Sequence, residues 1–99
     1  MPTLHLTKIK CIATEDWTGP DEPKIEVNGK KVWHATMNAG ESHPMNVNVK
    51  FTGSASIKLV EEDSPDADDV LGKQTVKSGS GTLEFSRDGA NYKLTYKVT

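Results

Sequence analysis

Lys24-Ile-Glu-Val-Asn-Gly-Lys-Lys-Val-Trp33 is the stretch that decides the fold class. Its Asn28-Gly29 pair lies between two segments that alternate apolar and polar residues. A two-residue turn that keeps the twist of its flanking strands needs positive φ at both central positions, and Asn and Gly adopt this most readily. A two-residue loop pairs Val27 with Lys30, Glu26 with Lys31 and Ile25 with Val32. That register sets opposite charges on the outer face and an aliphatic pair on the inner one. The segment reads as a β-hairpin.

The same period of two recurs on both sides. Upstream, Leu4 and Leu6, then Ile9, Cys11 and Ala13, alternate with one phase slip at Thr7-Lys8, the signature of a long strand with a bulge. Downstream, residues 38–44 are a loop by composition. Met45, Val47, Val49 and Phe51 then alternate with Asn46, Asn48 and Lys50. Ala55, Ile57 and Leu59 mark a fifth strand after the turn at Thr52-Gly53-Ser54, and residues 70–76 a weaker sixth. Ser78-Gly-Ser-Gly81 reads as a flexible turn and Leu83 with Phe85 as a seventh strand. Asp88-Gly89 is a turn before the strictly alternating Tyr92, Leu94, Tyr96 and Val98. No segment sustains a 3.6-residue period, and there is no internal repeat. Eight short strands separated by turn residues predict an all-β, single eight-stranded antiparallel sandwich over residues 1–99.

With 99 residues and 34% hydrophobic content, the chain suffices for one modest core. No apolar run reaches the ~20 residues of a membrane-spanning helix. The N-terminus lacks the basic region, apolar stretch and cleavage site of a secretory signal. A cytoplasmic protein and one whose targeting segment lies outside this sequence both fit. One cysteine, Cys11, excludes an internal disulfide and a cysteine zinc cluster, and its place in a strand predicts a buried thiol. His5, His34 and His43 have no Ser or Cys partner at useful spacing. There is no phosphate loop, dinucleotide fingerprint or nucleophile elbow. Acids packed in tight loops leave no cleft for glycosidase chemistry. The lysines lack interleaved aromatics, which argues against nucleic acid. The expectation is a non-enzymatic, monomeric module.

Charge distribution points to a ligand. Ten of the fourteen acids lie in residues 15–22 and 61–69, and the remaining chain holds four acids and all twelve basic residues. In a sandwich, alternate connections emerge at one end, so both acidic loops are expected there. Together they would bring Glu15, Asp16, Asp21, Glu22, Glu61, Glu62, Asp63, Asp66, Asp68 and Asp69 around one negative pole. Such carboxylates repel one another unless a cation offsets them. Many hard oxygen donors on irregular loops suit calcium, whereas magnesium demands a stricter octahedron. The spacing is not that of an EF-hand.

These residues resemble the C2 domains. The family's third calcium loop follows a strand with Asp-x-Asp, about four residues, then Asp-Asp-aromatic-Ile/Leu-Gly. Ile57-Lys-Leu-Val-Glu-Glu-Asp-Ser-Pro-Asp-Ala-Asp-Asp-Val-Leu-Gly72 is similar without a gap. The first loop, Asp-x-x-Gly-x-Ser-Asp-Pro-Tyr-Val-x-Val, is similar to Asp16-Trp-Thr-Gly-Pro-Asp-Glu-Pro-Lys-Ile-Glu-Val27. The resemblance implies an eight-stranded sandwich with calcium at one loop end. By position it implies Asp16 and Glu22 as first-loop ligands, Glu61, Asp63 and Asp69 as third-loop ligands, and Asp68 as the next candidate. Glu22 and Glu61 stand where the family pattern has Asp. It further implies calcium-dependent docking to a membrane surface or a protein. Trp17 then has two readings, an apolar tip entering the membrane or a cap over the sandwich end. The alternative is a structural or carbohydrate-binding accessory sandwich in which calcium only stiffens loops, its platform being Trp33, Tyr92 and Tyr96 exposed on a sheet face.

Overall fold

The computed structural model describes residues 1–15, 19–62 and 69–99. Its strands, in chain order, are β1 (Thr3–Ala13), β2 (Pro23–Val27), β3 (Lys30–His34), β4 (Ser42–Lys50), β5 (Ala55–Glu61), β6 (Asp69–Val76), β7 (Ser80–Arg87) and β8 (Ala90–Val98). They form two four-stranded antiparallel sheets, ordered β4-β1-β8-β7 and β3-β2-β5-β6. No helix occurs among the described residues. The eight-stranded antiparallel sandwich read from the alternation is the fold observed.

Inward-facing residues of both layers meet in one core. Leu4, Leu6, Ile9, Cys11, Tyr92 and Leu94 come from one sheet, and Ile25, Val27, Ile57, Leu59 and Leu71 from the other. β2 and the first half of β8 bury every second residue, because successive side chains point to opposite faces. At the β6/β7 margin, side chains join the two sheets. Gln74 Nε2 donates to the Glu84 carbonyl at 2.5 Å, and Arg87 Nη1 to the Val70 carbonyl at 3.3 Å. There too the Phe85 ring lies against Gly72, where a Cβ would come within 2.8 Å of Phe85 Cδ1.

The phase slip in β1 is present. Against β8 the register shifts between Leu6 and Lys8, leaving Thr7 as the extra residue, and shifts again between Cys11 and Ala13, leaving Ile12. Both two-residue turns expected from sequence have positive φ throughout: 51° and 85° at Asn28-Gly29, and 53° and 88° at Asp88-Gly89. Cys11 is buried and free.

Three sequence expectations are corrected. Val27 does face Lys30 and Glu26 faces Lys31, but Ile25 then faces Trp33, so Val32 is a bulge residue. With the bulge, Val32 and Trp33 are both partly buried against the core, and Trp33 stands opposite Ile25. The loop expected over residues 38–44 ends sooner, since β4 begins at Ser42. Pro44 is tolerated because β4 is an edge strand with one free side. Tyr92 is no part of an exposed aromatic platform: it is 0% exposed, while Trp33 and Tyr96 are partly buried against the core. The inward phase of β8 dictates this.

Candidate functional site

The register places four connections at one end of the sandwich. Ala13 at the end of β1 faces Asn91 at the start of β8, and Lys10 faces Ser42 at the start of β4. In the other sheet Pro23, Glu61 and Asp69 stand in one row across the start of β2, the end of β5 and the start of β6. Both acidic connections therefore emerge side by side, together with the β3–β4 connection and the Asp88-Gly89 turn.

Asp21 anchors the first connection from beneath. Its backbone exchanges two hydrogen bonds of 2.9 Å with Met37 of the β3–β4 connection. Its carboxylate is completely buried. Oδ2 accepts from the Tyr92 hydroxyl at 2.7 Å and from the Glu15 N–H at 2.9 Å. The second bond closes the loop upon itself; the first ties it to β8. Burial, and then the bond to Asp21, push the Tyr92 phenol far above its ordinary range. Burial also raises the Cys11 thiol, although its hydrogen bond with Tyr92 works the other way. Cys11, Tyr92 and Asp21 thus form a buried polar chain linking β1, β8 and the loop. Sequence reading placed Asp21 in the negative pole and missed this role. The available signal was Tyr92 itself, since a core tyrosine needs a partner for its hydroxyl.

The second connection is held at its root by Glu61. This side chain is 2% exposed, and Oε1 accepts the Glu22 N–H at 3.0 Å. The Glu62 N–H in turn donates to the Glu22 carbonyl at 3.0 Å, so the roots of the two acidic loops are stitched together. Asp69 lies directly across from Glu61 on β6. Two carboxylates paired in this way on one face are destabilising while nothing offsets their charge.

Of the six carboxylates singled out from sequence, Glu61 and Asp69 are brought together. Glu22 contributes its backbone to that pair, while its side chain lines an outward hollow of about 310 Å3 shared with Lys31, His34, Ala35, Thr36 and Glu62. In this hollow Lys31 Nζ lies 3.7 Å from Glu62 Oε1. Strand alternation explains the division, with Asp21 and Pro23 inward and Glu22 outward. Asp16, Asp63 and Asp68, and with them Trp17, lie outside the described residues. His43 sits on β4 opposite Ile9. Among the described residues no three His, Cys, Asp or Glu side chains are grouped to hold a metal ion. The titratable side chains at these two loop roots, Glu61 and Asp69, are carboxylates without thiol or imidazole beside them in the register, a donor type suited to a hard cation.

The chain aligns over 99% of its length with 96% of a solved structure described as "Structure of a C2 domain", at a TM-score of 0.63 and 15% identity. The fold is C2-like. Human GIVD cytosolic phospholipase A2 also aligns, over 98% of this chain but 15% of that one, at a TM-score of 0.46 and 14% identity. No family model matches the chain, and no curated protein sequence does. The C2-like fold agrees with the resemblance carried by the two acidic motifs, which here flank the joined loop roots.

Proposed function

We propose that this C2-like chain is a non-enzymatic calcium-binding module whose acidic loop end, once loaded, docks on lipid or protein. The observation that supports this reading is the Glu61–Asp69 pair at the point where both acidic connections emerge, with the Glu22 backbone bound to Glu61. Glu61 and Asp69 would hold the ion from the loop roots, joined by Asp16, Glu22, Asp63 and Asp68. A bound divalent cation supplies positive charge where these carboxylates repel, which lets the loops approach one another and a negatively charged surface. The residues themselves do the rest: Asp21 and Tyr92 fix the first loop, and the Glu22–Glu61 bond sets the spacing between loops. Trp17 is the proposed apolar contact.

Calcium that binds only the folded chain must raise its stability, by about 2.7 kcal/mol at a hundredfold excess over Kd. Calorimetric titration together with thermal melts tests this, and an unchanged melting temperature at millimolar calcium removes the reading. Co-sedimentation with liposomes in calcium and in chelator tests the docking half. The carbohydrate-binding alternative finds less support, because Tyr92 is in the core and Trp33 and Tyr96 pack against it.

A further inference from the structure

The two margins of the sandwich are finished differently. At the β6/β7 margin side chains bridge the sheets, Gln74 to Glu84 and Arg87 to Val70. At the other margin the edge strands are β3 and β4, and among the described residues no backbone hydrogen bond joins them. Val32 and Trp33 of β3 and Val47 and Val49 of β4 are only partly buried. Of these two strands β4 has the more regular free edge. The Phe51 N–H donates to the Pro2 carbonyl at 3.1 Å, and an antiparallel ladder alternates residues bonded to the neighbour with residues turned away. Val49 and Val47 therefore bond into β1 opposite Leu4 and Leu6. Lys50, Asn48 and Asn46 turn their backbone groups to the open side, where no backbone partner meets them among the described residues. The register shift against β1 lies beyond Val47, and the exposure of β4 keeps alternating through it. Pro44, which has no N–H, ends the run of donors.

We propose that two copies of this chain pair through β4 into a two-fold dimer, joining their β4-β1-β8-β7 sheets into one eight-stranded sheet. In this form the chain is not the monomer expected from sequence. The edge is complementary to itself. Antiparallel pairing about an axis at Asn48 sets Asn48 against Asn48 of the second copy and Asn46 against its Lys50. On the inner face it sets Val47 against Val49, an aliphatic pair repeated on both sides of the axis. Every other register is poorer. Centring on Lys50 opposes two like charges, and centring on Asn46 or Val47 sets Pro44 against a residue whose carbonyl then lacks a donor. Centring on Val49 leaves Asn46 beyond the end of the partner strand. β3 offers no such edge, since it carries adjacent exposed Lys30 and Lys31 and a bulge at Val32. β4 runs away from the acidic loop end, where Ser42 faces Lys10. Antiparallel pairing therefore points the two acidic ends in opposite directions, and their charges do not meet.

The test is sedimentation equilibrium of the full chain from micromolar to millimolar concentration in excess chelator. The mass is expected to rise with concentration toward that of two chains, while the N–H groups of Asn46, Asn48 and Lys50 exchange more slowly. Asn46→Lys opposes like charges at both Lys50 positions and is expected to raise Kd roughly tenfold. Adding Lys50→Glu makes both pairs opposite in sign and brings Kd back to the wild-type value or below. Within one chain these two positions lie ~13 Å apart along the strand, so the rescue reports pairing between chains. Asn46→Pro removes an outward N–H, as Pro44 does, and is expected to abolish the dimer. The mass of one chain at every concentration overturns the proposal and leaves this edge to a different protein. Equal dimerisation by wild type and Asn46→Lys also overturns it, as does a double variant no tighter than Asn46→Lys, since either result puts the contact elsewhere. Because chelator is present throughout, these outcomes are independent of whether the acidic loops take calcium.

Discussion

Replacing Tyr92 by Phe removes one hydroxyl and leaves the ring in the core. In the folded chain that hydroxyl donates to Asp21 Oδ2 at 2.7 Å, with both residues completely buried. The variant leaves the Asp21 carboxylate one hydrogen bond short and encloses a small void beside it. Removing one partner of a buried polar group costs about 1–3 kcal/mol. For a domain of this size each kcal/mol moves Tm by about 4–8 °C, so a fall of roughly 10 °C is expected. Thermal melts followed by circular dichroism measure it. A double-mutant cycle with Asp21→Asn isolates the pair, with a coupling of about 0.5–3 kcal/mol expected for groups in direct contact. Because Asp21 also holds the Glu15 N–H, hydrogen exchange at Glu15 should accelerate in the variant. A Tm within about 2 °C of wild type, with no coupling in the cycle, refutes the anchoring role assigned to this bond.

Gly72→Ala should destabilise by about 1–3 kcal/mol, because the new Cβ meets the Phe85 ring at 2.8 Å and the ring must shift within the core; urea denaturation reads this as a lower midpoint at unchanged slope. Alkaline pH should weaken the fold. Tyr92 and Cys11 are both raised from ordinary values of 10.0 and 9.0, so the stability they contribute is fully present below pH 9.0 and is lost as pH rises from there through their folded values. Melts across that range should show a declining Tm, and Tyr92→Phe should flatten part of the decline. Asp69→Asn should raise the melting temperature of the calcium-free chain slightly by relieving repulsion from Glu61, and should shrink any calcium-induced rise; a calcium response identical to wild type argues against Asp69 as a ligand.

Much of the fold was legible from residue order. The alternations through Leu4, Met45, Ile57 and Tyr92 each marked a strand, and Asn28-Gly29 and Asp88-Gly89 marked turns that have the left-handed backbone those residue pairs favour. The slip at Thr7-Lys8 was visible because it displaced the apolar phase. The bulge at Val32 was not. Val32 and Trp33 are both apolar and both pack against the core, so the residue pattern shows no break where the register shifts. The site divides in the same way. Proximity of the acidic loops followed from strand count and alternation, whereas the different fates of Asp21, Glu22, Glu61 and Glu62 did not.

Taken alone, the sequence determined the strands, their turns, the two acidic windows and the resemblance to the C2 pattern, since each of these depends on residues near one another in the chain. The tertiary structure decided which carboxylate does what. Asp21 faces inward and meets Tyr92, 71 positions away. Glu61 takes a backbone N–H from the other loop root, and Glu62 finds Lys31 outside. Only the tertiary structure placed Glu26 between Lys24 and Lys58. A charge acts on whatever lies within a few ångströms in space, and those neighbours are set by strand register across the sheets.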